Sequence, residues 1–123
     1  MLRNAKIVAF AGTLDAARAK AFYRDTLGLT LVEENSFATV FDSNGIMLRI
    51  ANVRALTPAQ YTVLGWDVPD ITSEVRALAQ AGVTFSRYPG LTQDEDGIWT
   101  APSGARVAWF ADPDGNVLSL TQF

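Results

Sequence analysis

The chain contains neither cysteine nor histidine. The first absence removes any disulfide framework and any thiolate chemistry. The second removes the commonest general base and the commonest transition-metal ligand together. Nor is there a basic cluster: ten Lys and Arg stand against thirteen Asp and Glu, for a net charge of −3. That balance argues against a nucleic-acid partner, which a protein grips by releasing counterions with a cationic patch. No glycine-rich phosphate loop is present either, because Gly104 and Gly115 fall in hairpin turns rather than at helix starts. The opening segment Met1–Lys6 leads into an apolar run too short to span a bilayer and without a signal-peptide pattern. The expectation is a cytoplasmic protein with no membrane association.

What is present suits a folded domain. With 49% hydrophobic residues over 123 positions, a single domain can bury roughly two-thirds of its unfolded surface. The organising stretch is Ala105–Gln122, two apolar runs around Asp112-Pro113-Asp114-Gly115-Asn116. Pro113 presets φ, Gly115 permits a positive φ, and the two aspartates bond nearby backbone N–H groups, so the segment reads as a β-hairpin.

In chain order, Ile7–Thr13 reads as a strand. Asp15 caps a helix over Ala16–Leu27 whose apolar face is Ala19, Phe22, Tyr23 and Leu27, and Gly28 ends it. Leu29–Glu34, Phe37–Asp42 and Ile46–Val53 follow as strands. A linker containing Pro58 covers residues 54–60. The order then repeats: Tyr61–Val68 as a strand, a helix capped by Asp70 and ended by Gly82, then strands at Val83–Tyr88, Ile98–Ala101, Ala105–Ala111 and Val117–Phe123. Asp15 matches Asp70 and Gly28 matches Gly82, which is an internal duplication with a period of roughly 55 residues. Module 1 covers about 4–53 and module 2 about 61–123. Neither half buries both sheet faces by itself, so the pair is expected to form one α+β domain.

This repeat, with Ala21-Phe22-Tyr23-Arg24-Asp25-Thr26-Leu27-Gly28-Leu29 in its first half and Asp112-Pro113-Asp114-Gly115-Asn116 in its second, resembles the vicinal oxygen chelate superfamily. That group includes glyoxalase I, extradiol dioxygenases and bleomycin resistance proteins. The likeness runs from about Lys6 to Gln122. It implies two βαβββ modules whose curled mixed sheets form an open cup, a homodimer, and a ligand in the cup. Members with metal chemistry carry ligands at four inward strand positions, which fall here on Val8, Arg49, Val63 and Ser119. A slip of one residue reaches Ile7, Ala9, Leu48, Ile50, Thr62, Leu64, Leu118 and Leu120, which are no better as ligands. Two valines, a hydroxyl and an always-charged guanidinium do not make a divalent-cation site. The expectation is therefore no metal and no cofactor.

Strand alternation gives the lining instead. Val8 brings Phe10 and Gly12, Arg49 brings Met47 and Ala51, Val63 brings Gly65 and Asp67, and Ser119 brings Val117, Thr121 and Phe123. Trp109 joins them, alternating with Val107. The candidate ligand-binding residues are Phe10, Met47, Arg49, Asp67, Trp109, Ser119 and Thr121, with no catalytic residue. Arg49 reads either as an anchor for a ligand carboxylate or as the ion-pair partner of Asp67. Alternation does not place Trp66 and Trp99. Asp94-Glu95-Asp96 reads as a solvated acidic loop. Together these features point to a bleomycin-resistance-like binder of an aromatic or charged small molecule such as an antibiotic. Two alternatives stay open: a lyase, isomerase or dioxygenase of the same superfamily, and an accessory module without a ligand.

Overall fold

A computed structural model describes residues 1–123. The chain divides into two compact units, Met1–Thr57 and Pro58–Phe123. Each consists of a four-stranded mixed sheet and a helix.

In the first unit β1 (Val8–Thr13), β2 (Thr30–Glu34), β3 (Ala38–Ser43) and β4 (Ile46–Asn52) lie in the order β1-β4-β3-β2. β1 runs parallel to β4, and the other pairs are antiparallel. The parallel pair follows from the helical crossover between β1 and β2, and the antiparallel pairs follow from short turns. Asp15 caps α1 (Ala16–Lys20) by accepting from the Arg18 N–H at 3.1 Å. The sequence predicts one regular helix to Leu27. Instead the chain widens into a π-helical turn at Ala21–Thr26, with the Leu27 N–H donating to the Phe22 carbonyl at 2.9 Å. The extra residue in that turn swings Tyr23 into the core, where its ring meets Phe22 edge-on at 5.2 Å and Phe41 at 5.8 Å. Gly28 then leaves the helix at φ +77°, a conformation costly for any residue with a Cβ. Gly28→Ala is expected to destabilise by about 1 kcal/mol, read as a lower urea midpoint with an unchanged slope. No neighbouring atom lies within 4 Å of where the new Cβ would stand, so the cost is purely that of the backbone.

In the second unit β5 (Leu64–Asp67), β6 (Trp99–Thr100), β7 (Arg106–Ala111) and β8 (Val117–Gln122) lie in the order β5-β8-β7-β6. Again the opening strand is parallel to the last, and the hairpins are antiparallel. α2 (Ile71–Gln80) is capped by Asp70, which accepts from the Ser73 N–H at 3.2 Å, and it buries Ile71 and Val75. Two strand expectations need correcting. Tyr61–Val68 shortens to Leu64–Asp67, so Val63 stands before the strand, joined only by its N–H to the Val117 carbonyl. Val83–Tyr88 is not a strand. Gln93 takes its backbone groups instead, accepting from the Tyr88 N–H at 2.8 Å and donating to the Ser86 carbonyl at 2.9 Å. Side-chain bonds of this kind offer the backbone an alternative to a ladder. Arg87 closes the same loop by donating to the Asp94 and Glu95 carbonyls.

The register fixes which side of each sheet is packed. In the first unit Ala11 and Ile50 are partners, as are Phe41 and Leu48, and all four are buried beside the helix. In the second, Leu118 and Phe110 pair, as do Leu120 and Ala108, beneath α2. These buried rows are each unit's core. No helix of the chain is long and apolar enough to cross a membrane.

Candidate functional site

Each sheet leaves its other face free of its own helix, and the candidate residues lie on those two faces. In the first unit the register sets Val8 beside Met47 and Phe10 beside Arg49. Alternation along β1 is plain in the burial: Ala11 and Thr13 are buried while Phe10 is 59% exposed. Met47 and Val8 are both 43% exposed. Arg49 is half-buried, and its guanidinium donates only to the Met47 sulfur, at 3.9 Å. No carboxylate of its own unit pairs with it.

A cavity of about 300 Å³ opens on this unit, lined by Lys6, Val8, Val32, Val40, Asp42 and Met47 among others. Its position follows from an irregularity in pairing. Leu31 faces Phe41 and Glu33 faces Val40, so Val32 bulges out of the ladder and is exposed. Bulges re-aim side chains and are common beside functional sites. The doublets Leu31-Val32 and Glu33-Glu34 break strict alternation at this point, a local signal that the reading of Leu29–Glu34 as a plain strand did not use.

In the second unit Gly65, Ser119 and Trp109 form one row across β5, β8 and β7. Asp67, Thr121, Val107 and Trp99 form the next. Asp67 is exposed, Thr121 and Trp109 are half-buried, and Ser119 is buried. The register also places the two tryptophans that alternation left open. Trp66 lies in the row of Leu120 and Ala108 on the helix side, whereas Trp99 lies on the free face. Trp99 packs on Trp109 with ring centres 6.0 Å apart, and Tyr88 meets Trp109 edge-on at 5.3 Å. Trp99 and Tyr88 thus stand beside the candidate residue Trp109, a placement that sequence reasoning missed. Trp99 lies in a two-residue strand, too short to show alternation, and Tyr88 is held there by the irregular loop.

The acidic segment Asp94-Glu95-Asp96 is only partly a solvated run. Asp94 accepts from the Asp96 and Ile98 N–H groups at 2.9 Å, and Asp96 pairs with Arg76 at 3.2 Å. Those bonds close a turn and occupy the carboxylates. In neither unit do three or more His, Cys, Asp or Glu side chains come together in a way that could hold a metal ion.

Comparison with known proteins agrees with this geometry. The model of the Glyoxalase/Bleomycin resistance protein/Dioxygenase superfamily matches residues 8–120. Among solved structures the chain is similar to a lactoylglutathione lyase from Agrobacterium tumefaciens, at TM-score 0.77 and 16% identity over 98% of this chain and 95% of that one. It is similar to a superfamily member from Sphaerobacter thermophilus, at TM-score 0.73 and 25% identity over 95% and 97% of the two chains. It is also similar to the bleomycin resistance determinant encoded on transposon Tn5, at TM-score 0.74 and 22% identity over 95% and 96%. No curated protein matches the sequence. With two βαβββ units and a family match over nearly its whole length, the chain belongs to the glyoxalase/bleomycin resistance protein/dioxygenase superfamily.

Proposed function

We propose that this protein is a cytoplasmic, single-domain small-molecule binder that uses the superfamily fold without its metal. The observation that carries this reading is Arg49. A half-buried guanidinium stands on a largely apolar sheet face with no carboxylate of its unit to neutralise it. Keeping such a charge partly desolvated is costly unless an anion arrives to pair with it. A carboxylate or sulfonate on a ligand would take two parallel N–H bonds from it. The adjoining cavity of about 300 Å³ is at the small end of the range for ligand sites and mostly apolar in its lining, which suits such a ligand's body.

The test uses the anionic fluorophore 8-anilinonaphthalene-1-sulfonate. Arg49→Met is expected to weaken its binding by about 10- to 100-fold, the value of a hydrogen bond to a charged group, while thermal unfolding stays cooperative. Unchanged affinity defeats the anchor.

The four positions where metal-using relatives carry ligands hold Val8, Arg49, Val63 and Ser119. Of these only the Ser119 hydroxyl is an oxygen donor, and Arg49 would repel a cation placed on its face. These residues do not fit a resident metal. Elemental analysis of purified protein is expected to show no stoichiometric ion, and a tightly held one would refute the assignment. The exposure of Val8, Phe10 and Met47 on one face further supports a homodimer in which a second copy covers that apolar surface. Sedimentation at micromolar concentration is expected to return twice the chain mass.

A further inference from the structure

We infer that Met47 is a redox-sensitive cap on Arg49: once oxidised to its sulfoxide, it takes the guanidinium for itself and competes with an anionic ligand. The inference rests on the anchor reading above and adds regulation to it.

Met47 and Arg49 stand two residues apart on β4, so their side chains leave the same face of the sheet. The Met47 sulfur accepts from the Arg49 guanidinium at 3.9 Å, and Arg49 has no other side-chain partner. A thioether is a weak acceptor, so most of the cation's hydrogen-bonding capacity is unused. A sulfoxide converts the same side chain into a polar one with a strong acceptor oxygen. An oxygen added to that sulfur on the Arg49 side falls within hydrogen-bond reach of the guanidinium. An incoming carboxylate or sulfonate must then displace a partner that the reduced protein lacks.

The sulfur is open to an oxidant. Met47 is 43% exposed and lines the cavity of the first unit. Hydrogen peroxide is smaller than an organic sulfonate. The path that admits such a ligand to Arg49 therefore admits peroxide to Met47, with or without a second copy on this face. The sulfur attacks one peroxide oxygen, the O–O bond breaks, and the other oxygen leaves as water with both hydrogens. Sulfur loses two electrons and the peroxide gains them. A reductase dithiol reverses the change, releasing the oxygen as water while its two thiols close to a disulfide.

The test measures the affinity of the full chain for 8-anilinonaphthalene-1-sulfonate before and after hydrogen peroxide, with peptide mass locating the added oxygen. Oxidation at Met47 is expected to weaken binding about tenfold. Met47→Gln places an amide oxygen where the sulfoxide oxygen would stand, and is expected to weaken binding similarly without peroxide. Met47→Leu is expected to keep its own affinity through the treatment, because Met1 is then the one methionine left to oxidise. Arg49→Leu adds no sulfur, unlike Arg49→Met, and is expected to lose no further affinity on oxidation. A ligand-free readout accompanies these: oxidation lowers Tm less in wild type than in Arg49→Leu, since only wild type gains the new bond. The cap is overturned by an equal fall in Tm, by unchanged affinity once the sulfoxide has formed, or by peroxide that leaves Met47 unmodified. The two failures are distinct. The anchor fails in untreated protein, when Arg49→Leu matches wild type, and takes the cap with it; the cap alone fails after peroxide, with the effect of Arg49 intact.

Discussion

Replacing Asp112 by alanine is expected to lower stability by about 3–5 kcal/mol, the scale of removing one partner from a buried charged network. Asp112 is 5% exposed at the head of the final hairpin. One of its oxygens accepts from the Asp114 and Asn116 N–H groups, both at 2.9 Å, and the other from the Asn116 side-chain amide at 2.8 Å. Asn116 is itself buried. Alanine would leave three donors without this acceptor, two of them on a buried residue, and each buried donor left unpaired costs about 1–3 kcal/mol. The Asp112 backbone N–H also bonds the Asn116 carbonyl at 3.0 Å, so the turn that aligns β7 with β8 would loosen as a whole. Asp112→Asn keeps one oxygen acceptor and is expected to cost less than half as much. Chemical denaturation of the three proteins checks the ordering. Equal midpoints for wild type and the alanine variant would show that the carboxylate does not hold the hairpin.

Tyr23→Ala is the second large effect, at about 3–5 kcal/mol for a fully buried aromatic truncation. The ring is 0% exposed and packs between Phe22 and Phe41. Truncation removes the transfer free energy of the ring and leaves a hole that the π-helical turn and β3 cannot both close. For a chain of this size the loss corresponds to a fall in Tm of roughly 10–20 °C, measured by calorimetry or circular dichroism. Tyr23→Leu fills part of the hole and is expected to recover about half the loss. If the alanine variant melts within a few degrees of wild type, Tyr23 is not the support of the first unit's helix that its packing indicates.

These two residues show differently how much the chain reveals of itself. Asp112 was legible in sequence because its role is local. An aspartate, a proline, a second aspartate, a glycine and an asparagine within five positions settle their own hydrogen bonds, wherever the segment lies. Tyr23 was legible as a core residue, from its place in an i, i+3, i+4 pattern, but not as part of a widened turn. A π-helical turn is held by packing against a partner, here Phe41, and the periodicity of one helix carries no trace of that partner.

The same division runs through the candidate site. Period-two alternation, an intrinsic property of an extended chain, was enough to group Phe10 with Val8, Met47 with Arg49, Asp67 with Val63 and Thr121 with Ser119, while the resemblance to the family implied which strand faces go together. Alternation failed wherever pairing broke that period. The bulge at Val32 opens a cavity because two residues of β2 face one step of β3. Tyr88 reaches Trp109 in a segment where Gln93 binds the Tyr88 N–H and the Ser86 carbonyl, groups that a strand would otherwise have used.

The sequence by itself therefore determined the duplicated α+β architecture, the two capped helices, the turn chemistry and the faces of the regular strands. Each depends on residues close together in the chain. It also determined that no histidine or cysteine is available for catalysis or ligation. Only the tertiary structure decided that Ser119 lies buried beside a glycine and a tryptophan, that Trp99 shares its face while Trp66 does not, and that Arg49 finds only a sulfur atom. Those facts depend on ladder register and on side chains from strands far apart in sequence, and a single chain read linearly does not specify which residues come to stand opposite one another.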